Sequence, residues 1–183
     1  ESSKSVEAGA SADAGPLTLD VVAFARRGRH VIDVTRASPS DPYRVLARER
    51  LDVDGLTAQA ALAHAPFPLL TMLVLQTSVL SVKGDTTPVA GGLLDPVHVR
   101  WDALVGLAHA ATRLRAFTRV TYAARRTRGG TATQDARLGW QTAQGDIFEV
   151  YLEGENLWNR DTEEEPGVPL PGRRLLAGFH LTW

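Results

Sequence analysis

Residues 174–183 alternate almost without a break. Leu175, Ala177, Phe179, Leu181 and Trp183 fall on one face of an extended segment, and Arg174, Gly178, His180 and Thr182 fall on the other. A side-chain period of two is the signature of a half-exposed strand. The tail of a soluble domain is commonly frayed. A terminal strand that alternates up to a last aromatic suits a barrel, where the final strand must pair and one face must meet lipid.

The same pattern recurs along the chain. Lys4, Val6, Ala8, Ala10 and Ala12 alternate with Ser5, Glu7, Gly9, Ser11 and Asp13. Val97, Val99, Trp101, Ala103, Val105 and Leu107 share a face opposite His98, Arg100 and Asp102. Leu114, Ala116, Thr118, Val120, Tyr122 and Ala124 oppose Arg113, Arg115, Phe117, Arg119, Thr121 and Arg125. Phe148, Val150 and Leu152 oppose Glu149, Tyr151, Glu153 and Glu155. Alternation by itself does not say which face is wet, because a soluble sheet turns its apolar face inward.

Composition narrows the field. At 183 residues and a formal charge of −1, the chain is long enough for one domain and carries no basic footprint for nucleic acid. It has no cysteine, which excludes a disulfide framework and a thiolate metal site. Hydrophobic content is 44%, yet no run is long enough for a membrane-spanning helix. Strands need only about 9–11 residues to cross, so a barrel stays open. Glu1 stands at the start without an initiator methionine or signal sequence, so a processed product or a piece of a longer chain is expected.

The periodicity predicts about nine strands, over 2–12, 17–34, 43–63, 67–82, 97–110, 113–125, 134–143, 147–157 and 173–183. Residues 101–114 and 56–65 also suit helix by intrinsic propensity. The connections alternate between short and long: Asp13-Ala14-Gly15-Pro16, His64-Ala65-Pro66, Ala111-Thr112 and Gln144-Gly145-Asp146 are short. Those around Pro39, over 83–96 and over 158–172 are long, and 127–133 is intermediate. Short turns at one end and long loops at the other describe an up-and-down meander through a membrane. The expected fold is an all-β antiparallel meander forming part of a transmembrane β-barrel. With the long loops outside, Trp101 and Trp158 fall at the outer interface and Trp183 at the periplasmic edge.

Short motifs add a family. Asn156-Leu157-Trp158 and Pro171-Gly172-Arg173 resemble the Asn-Leu-aromatic and Pro-Gly-Arg elements that bracket the last loop of TonB-dependent outer-membrane receptors. Val6-Glu7-Ala8-Gly9, Ala23-Phe24-Ala25 with Val31-Ile32-Asp33, Gly55-Leu56 and Leu94-Asp95-Pro96-Val97-His98 resemble further elements of that family in order, although Thr57 replaces an expected acid. Gly178, Leu181 and Trp183 resemble the signal read by the barrel assembly machinery, with Leu176 where a polar residue is usual. The resemblance implies residence in the bacterial outer membrane among its lipids. It also implies transport of a scarce solute such as a ferric siderophore or cobalamin, without covalent chemistry. Such receptors resemble the ~22-stranded plugged transporters. Residues 1–183 would therefore be the C-terminal part of one, lacking the N-terminal plug and the remaining barrel strands. Contact with the TonB complex would run through those missing parts. A soluble all-β ligand-binding domain and a small autonomous barrel without a transport role are the alternatives.

No enzyme chemistry is expected. His30, His64, His98, His109 and His180 lack metal-site spacing, and no nucleophile elbow or phosphate cradle is present. Neither metal nor cofactor is expected. The one constellation of note is basic. Arg113, Arg115, Arg119 and Arg125 project from one strand face, with Arg137 on the next. At mid-depth in lipid each would cost about 2–4 kcal/mol, so they should face the lumen. There they either pair with Asp135, Glu149, Glu153 and carboxylates of a plug or form a cationic wall along the path of an anionic solute.

Overall fold

The structure, a computed structural model, describes residues 2–35, 41–42, 44–63, 69–84, 97–125, 129–142, 148–165 and 168–181. The strands are β1 (Ser2–Ala14), β2 (Leu17–Thr35), β3 (Arg44–Ala63), β4 (Leu70–Gly84), β5 (Val97–His109), β6 (Leu114–Arg125), β7 (Gly129–Gln141), β8 (Phe148–Glu155), β9 (Glu163–Glu165), β10 (Val168–Pro169) and β11 (Arg174–Leu181). Nine of them form one antiparallel sheet in the order β1-β2-β3-β4-β5-β6-β7-β8-β11. Each pairs with its neighbour in sequence, except that β11 returns to β8 around the β9–β10 hairpin. β1 and β11 are the two edges, so the sheet is open. This is the expected all-β meander. The helix-prone residues 56–63 and 101–109 lie in β3 and β5, because cross-strand pairing outweighs a weak intrinsic preference.

Three local expectations are corrected. Arg113 is not in the strand with Arg115. It closes the β5–β6 turn with φ +56°, donating its N–H to Ala110 at 3.3 Å and accepting from Gln141 at 3.0 Å. Strand β7 starts at Gly129, not at 134, because the Gly129-Gly130 pair that reads as a loop signal is placed opposite Arg125 and Ala124. Gly129 holds φ +74°, and a Cβ on Gly130 would meet the Tyr122 ring at 2.4 Å. Finally, 158–172 is not wholly unpaired, since Val168 faces Glu165 and Pro169 faces Glu163 across a short bulged ladder. A two-stranded ribbon is all edge, the setting in which proline is tolerated. Trp183 and its expected role in assembly lie outside the described residues, as do His64 and Leu94-Asp95-Pro96.

Directly opposed residues of an antiparallel ladder share a face, so the registers assign every side chain. One row across seven strands reads Ala10, Val21, Ala58, Thr77, Trp101, Tyr122 and Ala132, and the next reads Ala12, Leu19, Ala60, Leu75, Ala103, Val120 and Gln134. Between them, on the other face, runs Ser11, Asp20, Gln59, Gln76, Asp102, Thr121 and Thr133. One side of the sheet is thus apolar and the other polar. The apolar side is bare: Trp101 is 60% exposed, Leu152 55% and Phe179 67%. Among the described residues Ala124 is the only buried hydrophobic side chain. The sheet has no core of its own.

Aromatic rings mark both ends of the apolar side. Trp101 and Tyr122 lie 5.9 Å apart toward the long connections, and Phe148 and Phe179 lie 6.1 Å apart toward the short turns, where Trp140 also opposes Leu114. The eight steps from Leu114 to Tyr122 measure about 27 Å along the strand. A tilt of about 40° brings that near the height of an outer-membrane apolar band.

On the polar side, rings lie over glycines of the neighbouring strand. Phe24 opposes Gly55, Phe117 opposes Gly106, and Tyr151 opposes Gly178. A Cβ at Gly55 would fall 2.4 Å from the Phe24 ring, and one at Gly178 would fall 2.7 Å from that of Tyr151. This packing explains why Phe117 interrupts the arginine row. Gly55→Val should displace the Phe24 ring and cost about 1–3 kcal/mol, read as a lower urea midpoint of the protein folded in detergent micelles. Adding Phe24→Ala should recover part of the loss, and strict additivity would show that the ring and the glycine are not coupled.

Candidate functional site

The polar face is the candidate site, and its chemistry begins with Asp102 at the centre of β5. The register sets Thr121 directly opposite and brings Arg119 two residues along the facing strand, on the same face. Arg100 donates to both carboxylate oxygens, Nε to Oδ2 at 2.6 Å and Nη2 to Oδ1 at 3.2 Å. Thr121 Oγ1 donates to Oδ1 at 2.8 Å, and Arg119 Nε lies 3.7 Å from the same oxygen. One carboxylate whose side chain is 11% exposed therefore anchors two guanidinium groups. The two-point Arg100 contact fixes direction as well as charge.

A second cluster forms on β7 and β8. Arg137 Nη2 donates to Glu149 Oε1 at 3.1 Å, its Nη1 lies 4.0 Å from Glu153 Oε2, and its guanidinium sits 3.9 Å above the Tyr151 ring. At the sheet edge Arg174 pairs with its register partner Glu155. The basic residues are thus interleaved with acids: Arg119 shares Asp102 with Arg100, and Arg137 lies beside both Glu149 and Glu153. Arg115 is exposed on the same face, Arg125 ends β6 beside Gly129, and Arg113 stands apart in its turn. The face is a mosaic of paired charges. Of the expected partners, Glu149 and Glu153 do meet an arginine. Asp102, which periodicity had placed on the face without a partner, is the main one.

Asp135 has a different task. Its Oδ1 accepts the backbone N–H of Asn156 at 2.9 Å. Asn156 is 8% exposed and sits just past β8 with φ +46°, a conformation asparagine tolerates better than most residues. Its Nδ2 donates to the carbonyls of Arg160 at 2.8 Å and Pro171 at 3.3 Å, while its Oδ1 accepts from the Arg160 N–H at 2.9 Å. Asn159, at φ +50°, accepts the Arg173 N–H on its Oδ1 at 3.0 Å. Leu157 donates its N–H to the Gln134 carbonyl at 2.8 Å and packs over Gly154, where a Cβ would lie 2.5 Å away. Asn156, Leu157, Pro171 and Arg173 thus converge, with Gly172 beside Asn159. Trp158 remains 46% exposed outside the knot. The two asparagines tie both feet of the 158–172 loop together. Arg160 carries no sequence signal for this role, since it acts through its backbone N–H and carbonyl, whereas Asn159 acts through its side chain.

No protein-family model matches the chain, and no curated protein matches it significantly. Solved structures do resemble it. The FrpB iron transporter from Neisseria meningitidis, F3-3 variant, superposes with a TM-score of 0.69 at 15% identity over 97% of this chain. The apoprotein form of its F5-1 variant gives 0.69 at 14% identity over the same share. The chain spans only 30% of the length of either. At such identity the likeness is one of fold, and the fold is that of a section of outer-membrane β-barrel.

Asn156→Ala removes three side-chain hydrogen bonds from a buried position. It should cost about 2–4 kcal/mol and raise the rate of protease cleavage within 158–172, measured by limited proteolysis in detergent. Unchanged cleavage would show that the knot does not hold the loop.

Proposed function

We propose that this chain is the C-terminal wall section and outer loops of an outer-membrane transporter that takes up a scarce, chelated solute by TonB-dependent transport. The observation that carries the reading is the pair of unlike faces on a single uncovered layer. Bare apolar area of this extent needs a medium that is not water, and a bilayer supplies one for a closed barrel. The open edges β1 and β11 then pair with further strands of the same barrel, and a plug fills the lumen. The likeness to an iron transporter of more than three times this length favours that arrangement and an iron chelate as cargo.

In this reading the polar face lines the lumen. Its balanced charges on Asp102 and Arg137 meet the plug and the passing solute, and no bond is made or broken there. The long connections face outward, and the 158–172 loop, held by its asparagine knot, contributes to capture or gating of the solute. Gly178 and Leu181 present the closing strand to the barrel assembly machinery. A soluble domain would leave Trp101, Leu75 and Phe179 in water. A small autonomous barrel would require β1 to pair with β11.

Two neighbouring substitutions separate these readings. Leu75→Arg places a charge mid-band on the apolar face and should cost about 2–4 kcal/mol of folded protein in lipid. Gln76→Arg, one residue on, points into the lumen and should be near neutral. The measurement is the fraction of heat-resistant protein in outer-membrane fractions. Equal effects, or a protein that stays folded without detergent, would favour the soluble reading.

A further inference from the structure

The apolar face does not stay apolar along the long strands. Beyond Val6, Ala25, Leu56 and Val79 the same face becomes charged, in a row of Lys4, Arg27, Asp52 and Lys83 and a second of Arg29 and Arg50. The two acids there are already occupied. Arg27 lies 2.7 Å from Asp54 and 3.5 Å from Asp52, and Arg50 lies 2.6 Å from Asp52. Lys4 and Arg29 form no ion pair among the described residues and are exposed. Lys4 directly opposes Arg27, and Arg29 directly opposes Arg50. Like charges in direct register destabilise a ladder unless an anion lies between them. This belt is on the bare apolar side, so an anion that relieved the repulsion there would come from the surrounding medium.

Below the belt the face holds an apolar groove of about 690 Å³. Ala58, Ala60 and Ala103 form its floor, and Leu19, Leu75 and Trp101 rise beside it. Asp52 and Ala58 are six residues apart on β3, about 20 Å along the strand. A cationic rim above a hydrocarbon trough describes a ligand with phosphate at one end and acyl chains at the other.

We propose that this belt and groove bind a phosphorylated, multiply acylated glycolipid of the outer leaflet, with its phosphates on Lys4, Arg29 and Lys83 and one acyl chain in the groove. The inference rests on the membrane reading above. Free phosphate would use the belt alone; the lipid uses both features.

The probe is lipid A, added to the detergent-extracted protein and scored as retained lipid by native mass spectrometry. Wild type should retain lipid A in preference to its dephosphorylated form. Lys4→Gln/Arg29→Gln/Lys83→Gln should weaken retention about 100-fold, at roughly a factor of five per lost cation near an anionic lipid surface. Ala58→Phe/Ala60→Phe, which fills the trough, should weaken retention while keeping the preference for phosphate. The heat-shifted gel band confirms that each variant is folded. Equal retention of the dephosphorylated lipid, unchanged retention by the triple variant, or displacement by inorganic phosphate at matched concentration would overturn the site. A wild-type protein that alkaline carbonate strips from membranes would overturn the membrane reading as well. An integral protein that ignores lipid A overturns this site alone.

Discussion

The structure depends on one constraint: each backbone N–H and C=O must find its partner on the neighbouring strand. The sheet is a single layer with a polar side and a bare apolar side, so no second layer supplies hydrogen bonds or covers area. In water an unmade backbone bond is replaced by solvent. In hydrocarbon it is not, and the penalty is several kcal/mol per group. The ladders are continuous, as in β2 with β3 from Leu17 opposite Leu62 to Thr35 opposite Arg44, which is the arrangement the proposed membrane setting would require. Among the described residues the register shifts only by Leu70, by Val97 and in the small hairpin.

With no interior, side-chain packing moves to the sheet surface. Rings laid over glycines on the polar side fill the place of a core. They favour one register, because a Cβ opposite Phe24 or Tyr151 would fall 2.4 or 2.7 Å from the ring, and one opposite Phe117 would be tight at 3.2 Å. The polar residues on the apolar side are dealt with in the same local way. Gln134 donates to Thr118 at 3.1 Å, and Thr118 donates to the Asp135 carbonyl at 3.1 Å. The charge pairs around Asp102 and Arg137 are partly exposed, and pairs of that kind contribute about 0–1 kcal/mol each. They set the electrostatic character of the face more than its stability.

The asparagine knot links the fold to the function proposed for it. A long loop beside a barrel mouth is costly to hold in one place, since its ends must be brought together against chain entropy. Asn156 and Asn159 accomplish this with side chains that mimic backbone groups, satisfying the carbonyl of Pro171 and the N–H of Arg173 across the loop.

Much was legible in the sequence. Period-two alternation determined the strands, their two faces and the meander, because side chains on a strand alternate whatever lies around it. Glycine and proline located most of the turns. The motif residues Asn156 and Pro171 were legible as a pattern, without a reason for it. The tertiary structure alone decided the register, and with it which arginine meets which acid. Asp102 rather than Asp135 gathers Arg100 and Arg119, Gly129 and Gly130 join a strand rather than a loop, and Arg113 leaves the row. The physical reason is that sliding a strand by two residues leaves every side chain on its own face. Alternation is blind to that shift, whereas a ring over a missing Cβ, or a guanidinium across from a carboxylate, is satisfied at only one setting.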